Sequence, residues 1–122
     1  GLLRILVVDD EPDLAAGLCS ILEMRGHWTQ MAHTQKEALA KATFFSPTAA
    51  LVDLRLNNED GTDVAQALRE KFPNINIVYM TGYSSLLPTI AATTNDTVLK
   101  KPFEIDAAIA ALTKDKSHAN NN

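Results

Sequence analysis

The sequence contains one cysteine, Cys19, so no disulfide can form within the chain. That suits a reducing compartment, and the cytoplasm is the expected location. No apolar run approaches the roughly 20 residues needed to span a bilayer, and no secretory leader is visible. Positive charge is sparse as well. Lys and Arg total 11 against 15 Asp and Glu, for a net charge of -4, and only Lys100-Lys101 stand together. Direct contact with nucleic acid or a membrane surface is therefore not expected of this segment. No internal repeat and no low-complexity linker divides the chain. Its 122 residues suffice for one domain and are too few for two ordinary ones. It begins at Gly1 rather than Met, so a trimmed or excised origin is expected.

What remains is an ordinary globular composition, 46% hydrophobic and 21% charged. About two-thirds of the unfolded chain's surface can be buried at this size, enough for a core without staples. Leu2 to Val8 form a β-branched apolar run that ends in Asp9-Asp10-Glu11. Pro12 suits the first turn of a helix carrying Leu14, Leu18, Ile21 and Leu22, with Gly26 as its stop. Trp28 to Ala32 reads as a weak second strand. Thr34 and Glu37 form a capping box for a helix with Ala38, Leu39, Ala42 and Phe45, closed by Ser46-Pro47.

Ala49-Ala50-Leu51-Val52 is apolar on both alternations and ends abruptly in Asp53, as a strand buried on both faces would. A polar loop to Gly61 leads into a helix with Val64, Ala65, Leu68 and Phe72. Ile75 to Met80 is a fourth strand, with Thr81-Gly82 at its end. A short helix is expected over Leu86 to Thr93, a brief fifth strand over Thr97 to Leu99, and a last helix with Ile105, Ala108, Ile109 and Leu112. The segment from Ser117 to Asn122 has no apolar anchor and reads as a frayed tail.

Five alternations of strand and helix with short connections predict an α/β fold, a parallel sheet with helices on both faces. The common order for five such strands is 2-1-3-4-5, although the residues alone do not fix it. Ligands bind such sheets at the carboxyl edge. That edge receives Asp9, Asp10, Asp53, Thr81 and Lys101. The acidic run after the first strand could serve only the helix N-terminus that follows it. With Asp53 and Lys101 at the same edge, a cation site is the stronger reading. Oxygen-only ligands suit Mg²⁺ or Mn²⁺ rather than zinc, since no His or Cys lies at these strand ends. Lys101 adds a compact positive charge and Thr81 a hydroxyl, a set that lets one carboxylate accept a phosphoryl group.

In these features the chain resembles the receiver domain of two-component response regulators, with its CheY-like, flavodoxin-like doubly wound fold. The resemblance covers about residues 3 to 114. It rests on Ile5-Leu6-Val7-Val8-Asp9-Asp10-Glu11, on Leu51-Val52-Asp53-Leu54 with Gly61 eight residues on, on Met80-Thr81-Gly82, and on Lys101-Pro102-Phe103. It implies a domain over 1–115 and a disordered tail or linker over 116–122. It implies that Asp53 is the phosphoacceptor for a phosphohistidine, and that Asp10, Asp53 and the Arg55 backbone carbonyl hold Mg²⁺, with Asp9 acting through water. Thr81 would bind the phosphoryl group and Lys101 would pair with Asp53, next to a cis Lys101-Pro102 peptide. The chain would be a phosphorylation switch that catalyses its own phosphorylation and slow dephosphorylation, with Arg55 and Tyr83 tuning hydrolysis. Its implied partners are a sensor histidine kinase or phosphotransfer protein, and a covalently attached kinase or output domain.

The chain departs from the family pattern in the loop after Asp53, where Leu56-Asn57 replaces the usual Met-Pro pair. It departs again after Thr81, where Asn95-Asp96-Thr97 replaces the Gly-Ala turn, Val98 replaces the usual aromatic three positions before the lysine, and the segment to Lys101 is slightly short. Other readings are a phosphorylation-independent binding module, a Mg²⁺-dependent aspartyl-phosphate phosphatase and a flavodoxin. The retained acidic pair and Lys101 argue against the first. Arg55 stands where the phosphatase needs its second acid, and Asp9-Asp10-Glu11 would repel a flavin phosphate. Cys19 reads as a core residue, and His27, His33 and His118 show no ligand pairing.

Overall fold

The computed structural model describes residues 2–83, 85 and 96–114. The strands are β1 (Arg4–Val8), β2 (Trp28–Ala32), β3 (Ala49–Asp53), β4 (Asn76–Thr81) and β5 (Thr97–Lys100). Between and after them run α1 (Pro12–Met24), α2 (Gln35–Phe45), α3 (Gly61–Lys71) and α4 (Ile105–Thr113). All five strands are parallel, in the order β2-β1-β3-β4-β5, which is the expected 2-1-3-4-5. The helix expected over Leu86 to Thr93 and the tail over 116–122 lie outside the described residues.

Strict alternation divides the sheet between two cores. Leu6, Val8, Ala50, Val52, Ile77 and Tyr79 face α2 and α3, where Ala38, Ala42, Val64, Ala65 and Leu68 meet them. Ile5, Val7, Ala49, Leu51, Val78 and Met80 face α1 and α4, against Ala15, Cys19, Leu22 and Leu112. This two-sided burial is why β3 reads as a continuous apolar run. Cys19 is buried as expected. Trp28 lies on the edge strand β2 and is exposed.

The buried face of α1 includes Leu22 and, in part, Leu18 as expected, but not Leu14 and Ile21. Ala15, Cys19 and Leu22 lie against the sheet, whereas Leu14 and Ile21 are 37% and 42% exposed. Two apolar stripes overlap on this helix, offset by one residue. The stripe with the smaller residues lets α1 approach the strands closely, and Leu14 and Leu18 turn toward the loop after β5.

Local chemistry explains the helix ends. Thr34 Oγ1 accepts from the Glu37 N–H at 3.1 Å, as a capping box requires. The return bond is displaced by one residue, because Glu37 Oε1 accepts from the His33 N–H instead. Gly26, at φ +95°, closes α1, and Ser46 closes α2 in the left-handed region at φ 52°. Asn76 reaches across from the start of β4. Its side-chain amide nitrogen lies 2.8 to 3.1 Å from the carbonyls of Ala111, Leu112 and Lys114 and so caps the end of α4.

Candidate functional site

β1 and β3 are neighbours in the sheet and end together, so Asp9, Asp10 and Asp53 emerge side by side at the carboxyl edge. One carboxylate oxygen from each lies within 4.8 Å of the others. Asp9 is fully buried and Asp53 nearly so. Lys101 follows β5, and its Nζ lies 2.6 Å from Asp53 Oδ2 and 3.0 Å from Asp9 Oδ2. The ammonium thus bridges two acids rather than pairing with Asp53 alone. The Lys101-Pro102 peptide is cis.

Backbone contacts set the remaining geometry. Asp53 Oδ1 accepts the Arg55 N–H at 2.9 Å, and Asp9 Oδ1 accepts the Glu11 N–H at 2.9 Å. Each acid therefore has one oxygen held by its own turn and one turned to Lys101. Gly61 packs directly on the Asp53 carbonyl, and a Cβ there would sit 2.1 Å from that oxygen. The space is closed to any other residue, which explains a glycine eight positions after Asp53. Thr81 is fully buried at the end of β4, and its Oγ1 accepts the Tyr83 N–H at 3.0 Å. Its carbonyl accepts the Lys101 N–H at 2.7 Å, tying β4 to the lysine-bearing turn. The Arg55 guanidinium lies over the Tyr83 ring, 4.9 Å from its centroid.

Burial pushes the Asp53 carboxyl above its ordinary pKa, and the Lys101 and Arg55 hydrogen bonds offset only part of this. Burial also pushes Lys101 down. The hydrogen bonds to Asp53 and Asp9, with their negative charge, outweigh that and leave its pKa raised. When ionised, three carboxylates against one ammonium leave an excess of two negative charges, the charge of one divalent cation. The donors are all oxygen, with no His or Cys in the cluster, so the set fits a hard ion such as Mg²⁺.

Sequence reading placed every acid here but missed two neighbours. His33 Nδ1 lies 2.9 Å from the Asp9 carbonyl, and Glu59 Oε1 accepts the Gln35 N–H at 2.8 Å. Both contacts bridge 24 positions, and no local signal announces them. Glu59 belongs to a two-rung antiparallel hairpin, Arg55–Leu56 against Glu59–Asp60, which occupies the loop that has no proline. Val98 is partly buried against the core on the α2–α3 side and pairs with Tyr79 in the strand register.

The family model for the response regulator receiver domain matches residues 5–113. The photosynthetic apparatus regulatory protein RegA of Rhodovulum sulfidophilum is 37% identical over 110 residues, covering 88% of this chain and 60% of RegA. The acid tolerance regulatory protein ActR of Rhizobium meliloti is 32% identical, covering 88% of this chain and 57% of its own length. The chain thus spans somewhat over half the length of these relatives. A response regulator from Burkholderia pseudomallei, solved with a phosphorylated aspartic acid and a calcium ion, superposes with a TM-score of 0.81. It is 30% identical, and the match covers 97% of this chain and 71% of that one. TrrA of Thermotoga maritima, solved with Mg²⁺ and BeF, gives 0.74 at 31% identity, over 88% of this chain and 93% of TrrA. With acids, hydroxyl and lysine gathered on this sheet edge and the family match running from β1 through α4, the chain belongs to the response regulator receiver domains of two-component systems.

Proposed function

We propose that Asp53 accepts a phosphoryl group from a phosphohistidine in a Mg²⁺-dependent reaction. The observation that carries this reading is one carboxylate at the end of the central strand, with an ammonium 2.6 Å away and two further acids beside it. An Asp53 oxygen attacks phosphorus, an O–P bond forms, and the P–N bond to the imidazole breaks with its electron pair leaving on nitrogen. Asp9, Asp10 and Asp53, with the Arg55 carbonyl, would hold the cation. When bound, it neutralises charge on the transferring group. Lys101 can then move from the Asp53 carboxylate to a phosphoryl oxygen, and the Thr81 hydroxyl can exchange the Tyr83 N–H for the same group. Each transfer gives the phosphorylated state a contact that the free state lacks, which is what shifts a conformational equilibrium.

An apolar groove of about 410 Å³ lies beside Lys101, lined by Leu14, Leu18, Pro102 and Phe103. We assign it to the helix of a sensor histidine kinase or phosphotransfer protein that presents the phosphohistidine in the cytoplasm. NtrX of Brucella abortus matches 99% of this chain with 29% of its own length, at 26% identity and a TM-score of 0.83. That supports a receiver joined covalently to an output or kinase domain.

Intact-mass measurement with a small acyl phosphate and Mg²⁺ tests the acceptor. One phosphate adduct is expected on the native chain and none on Asp53→Asn, and no adduct on either would overturn the assignment. Leu14→Glu should slow transfer from a phosphohistidine protein at least tenfold, about 1.4 kcal/mol, and leave labelling by the small donor unchanged.

A further inference from the structure

A chain of hydrogen bonds joins the two strand ends that carry the acids. The Asp9 carbonyl meets His33 Nδ1 in the turn before α2, and the His33 N–H donates to Glu37 of the same helix. Gln35, the first residue of α2, donates its N–H to Glu59 Oε1 across 2.8 Å. Glu59 pairs with Leu56 in the hairpin, and the Arg55 N–H at the hairpin's start donates to Asp53. The Gln35–Glu59 bond is the step that crosses from the β2–α2 turn to the β3–α3 loop.

The first N–H groups of a helix have no acceptor within it, and the Glu59 side-chain oxygen supplies one for Gln35. Leu54 and Leu56 anchor the first strand of the hairpin in the core, and Glu59 anchors its second strand, since two rungs are too few to hold a ladder by themselves. Arg55 opens that hairpin one residue beyond Leu54, which follows Asp53 at the end of β3. Glu59, paired with Leu56 across the hairpin, adds a restraint on the backbone beside Arg55.

We propose that Glu59 is a positioning residue for divalent-cation binding. Docked on the N-terminus of α2, it holds the loop that bears Arg55 against Asp9, Asp10 and Asp53. This rests on the Mg²⁺-dependent phosphoacceptor reading above. Glu59 acts through the loop, sparing the site the entropy of ordering it when the cation arrives.

Isothermal titration of the whole chain with Mg²⁺ tests this. Glu59→Ala should weaken binding by roughly tenfold, the scale of outer-shell substitutions at metal sites. Glu59→Gln keeps an oxygen that can accept from Gln35 and should stay within about twofold of the native chain. Glu59→Asp keeps the charge but falls short by one methylene, so it should behave as Glu59→Ala does. The half-saturating Mg²⁺ for phosphorylation by a small acyl phosphate should rise by the same factors, with the maximal rate retained. Amide exchange at Gln35 should quicken in the Ala and Asp variants and not in the Gln variant. Native affinity in Glu59→Asp, or a Glu59→Gln loss as large as that of Glu59→Ala, would overturn the proposal, since charge alone would then be at work. A native chain that binds no Mg²⁺ would overturn the phosphoacceptor reading itself.

Discussion

At the scale of single residues, Asp53 is held against the stability of the fold, whereas its partner Lys101 favours it. Burial raises the Asp53 pKa, so the fold disfavours its ionised form. The sign follows from linkage. Below the ordinary carboxyl range both folded and unfolded chains are protonated and the cost vanishes. It is fully present once the pH has risen through the folded pKa. Asp53→Asn removes that cost together with the ion pair to Lys101, and a higher Tm for the metal-free variant at pH 7 by calorimetry is expected if the burial cost is the larger of the two. Tyr79 gives a second test. Burial, with the Asp96 charge added and Arg69 partly offsetting it, pushes its hydroxyl up to about 12. Its contribution to stability should be full below pH 10 and lost as pH rises to about 12, on the order of 2 kcal/mol. Tyr79→Phe should flatten that alkaline limb in denaturant titrations run at successive pH values.

At the scale of elements, the sheet edge depends on how the helices are fastened. The Asn76 amide reaches the Leu112 and Lys114 carbonyls at the end of α4 and shares the Ala111 carbonyl with the Lys114 N–H. Asn76→Ala should cost about 1–3 kcal/mol in urea denaturation, the penalty for buried acceptors left unsatisfied. Asn76→Asp should cost more, because it sets a negative charge at the negative end of a helix dipole. The element types were legible in the sequence because each has its own period and its own punctuation. Pro12 opens α1, Gly26 ends it, and Thr34 caps α2. The packed face of α1 was legible only in part: Leu22 and Leu18 lie on it, Leu14 and Ile21 do not. Leu14, Leu18 and Ile21 outrank Ala15 and Cys19 in hydrophobicity, yet close approach to a sheet favours the small residues.

At the scale of the whole molecule, the described residues include no helix long and apolar enough to cross a membrane. The charge excess at the sheet edge ties stability to ligand. Mg²⁺ at roughly 100 times its Kd should stabilise the native chain by about 2.7 kcal/mol. Asp10→Asn with Asp53→Asn should abolish that gain in thermal melts with and without the ion.

The sequence by itself determined the alternation of strands and helices, and with it which acids, hydroxyl and lysine stand at strand ends. Those features are local: a period of two or of 3.6, and a charge that cannot follow an apolar run into the core. Only the tertiary structure decided that Lys101 bridges Asp9 as well as Asp53, and that Glu59 reaches the first amide of α2. It also set Gly61 against the Asp53 carbonyl. These contacts join residues from 8 to 92 positions apart. Their energies depend on distance in space, which a one-dimensional pattern does not carry until the sheet order has brought the strand ends together.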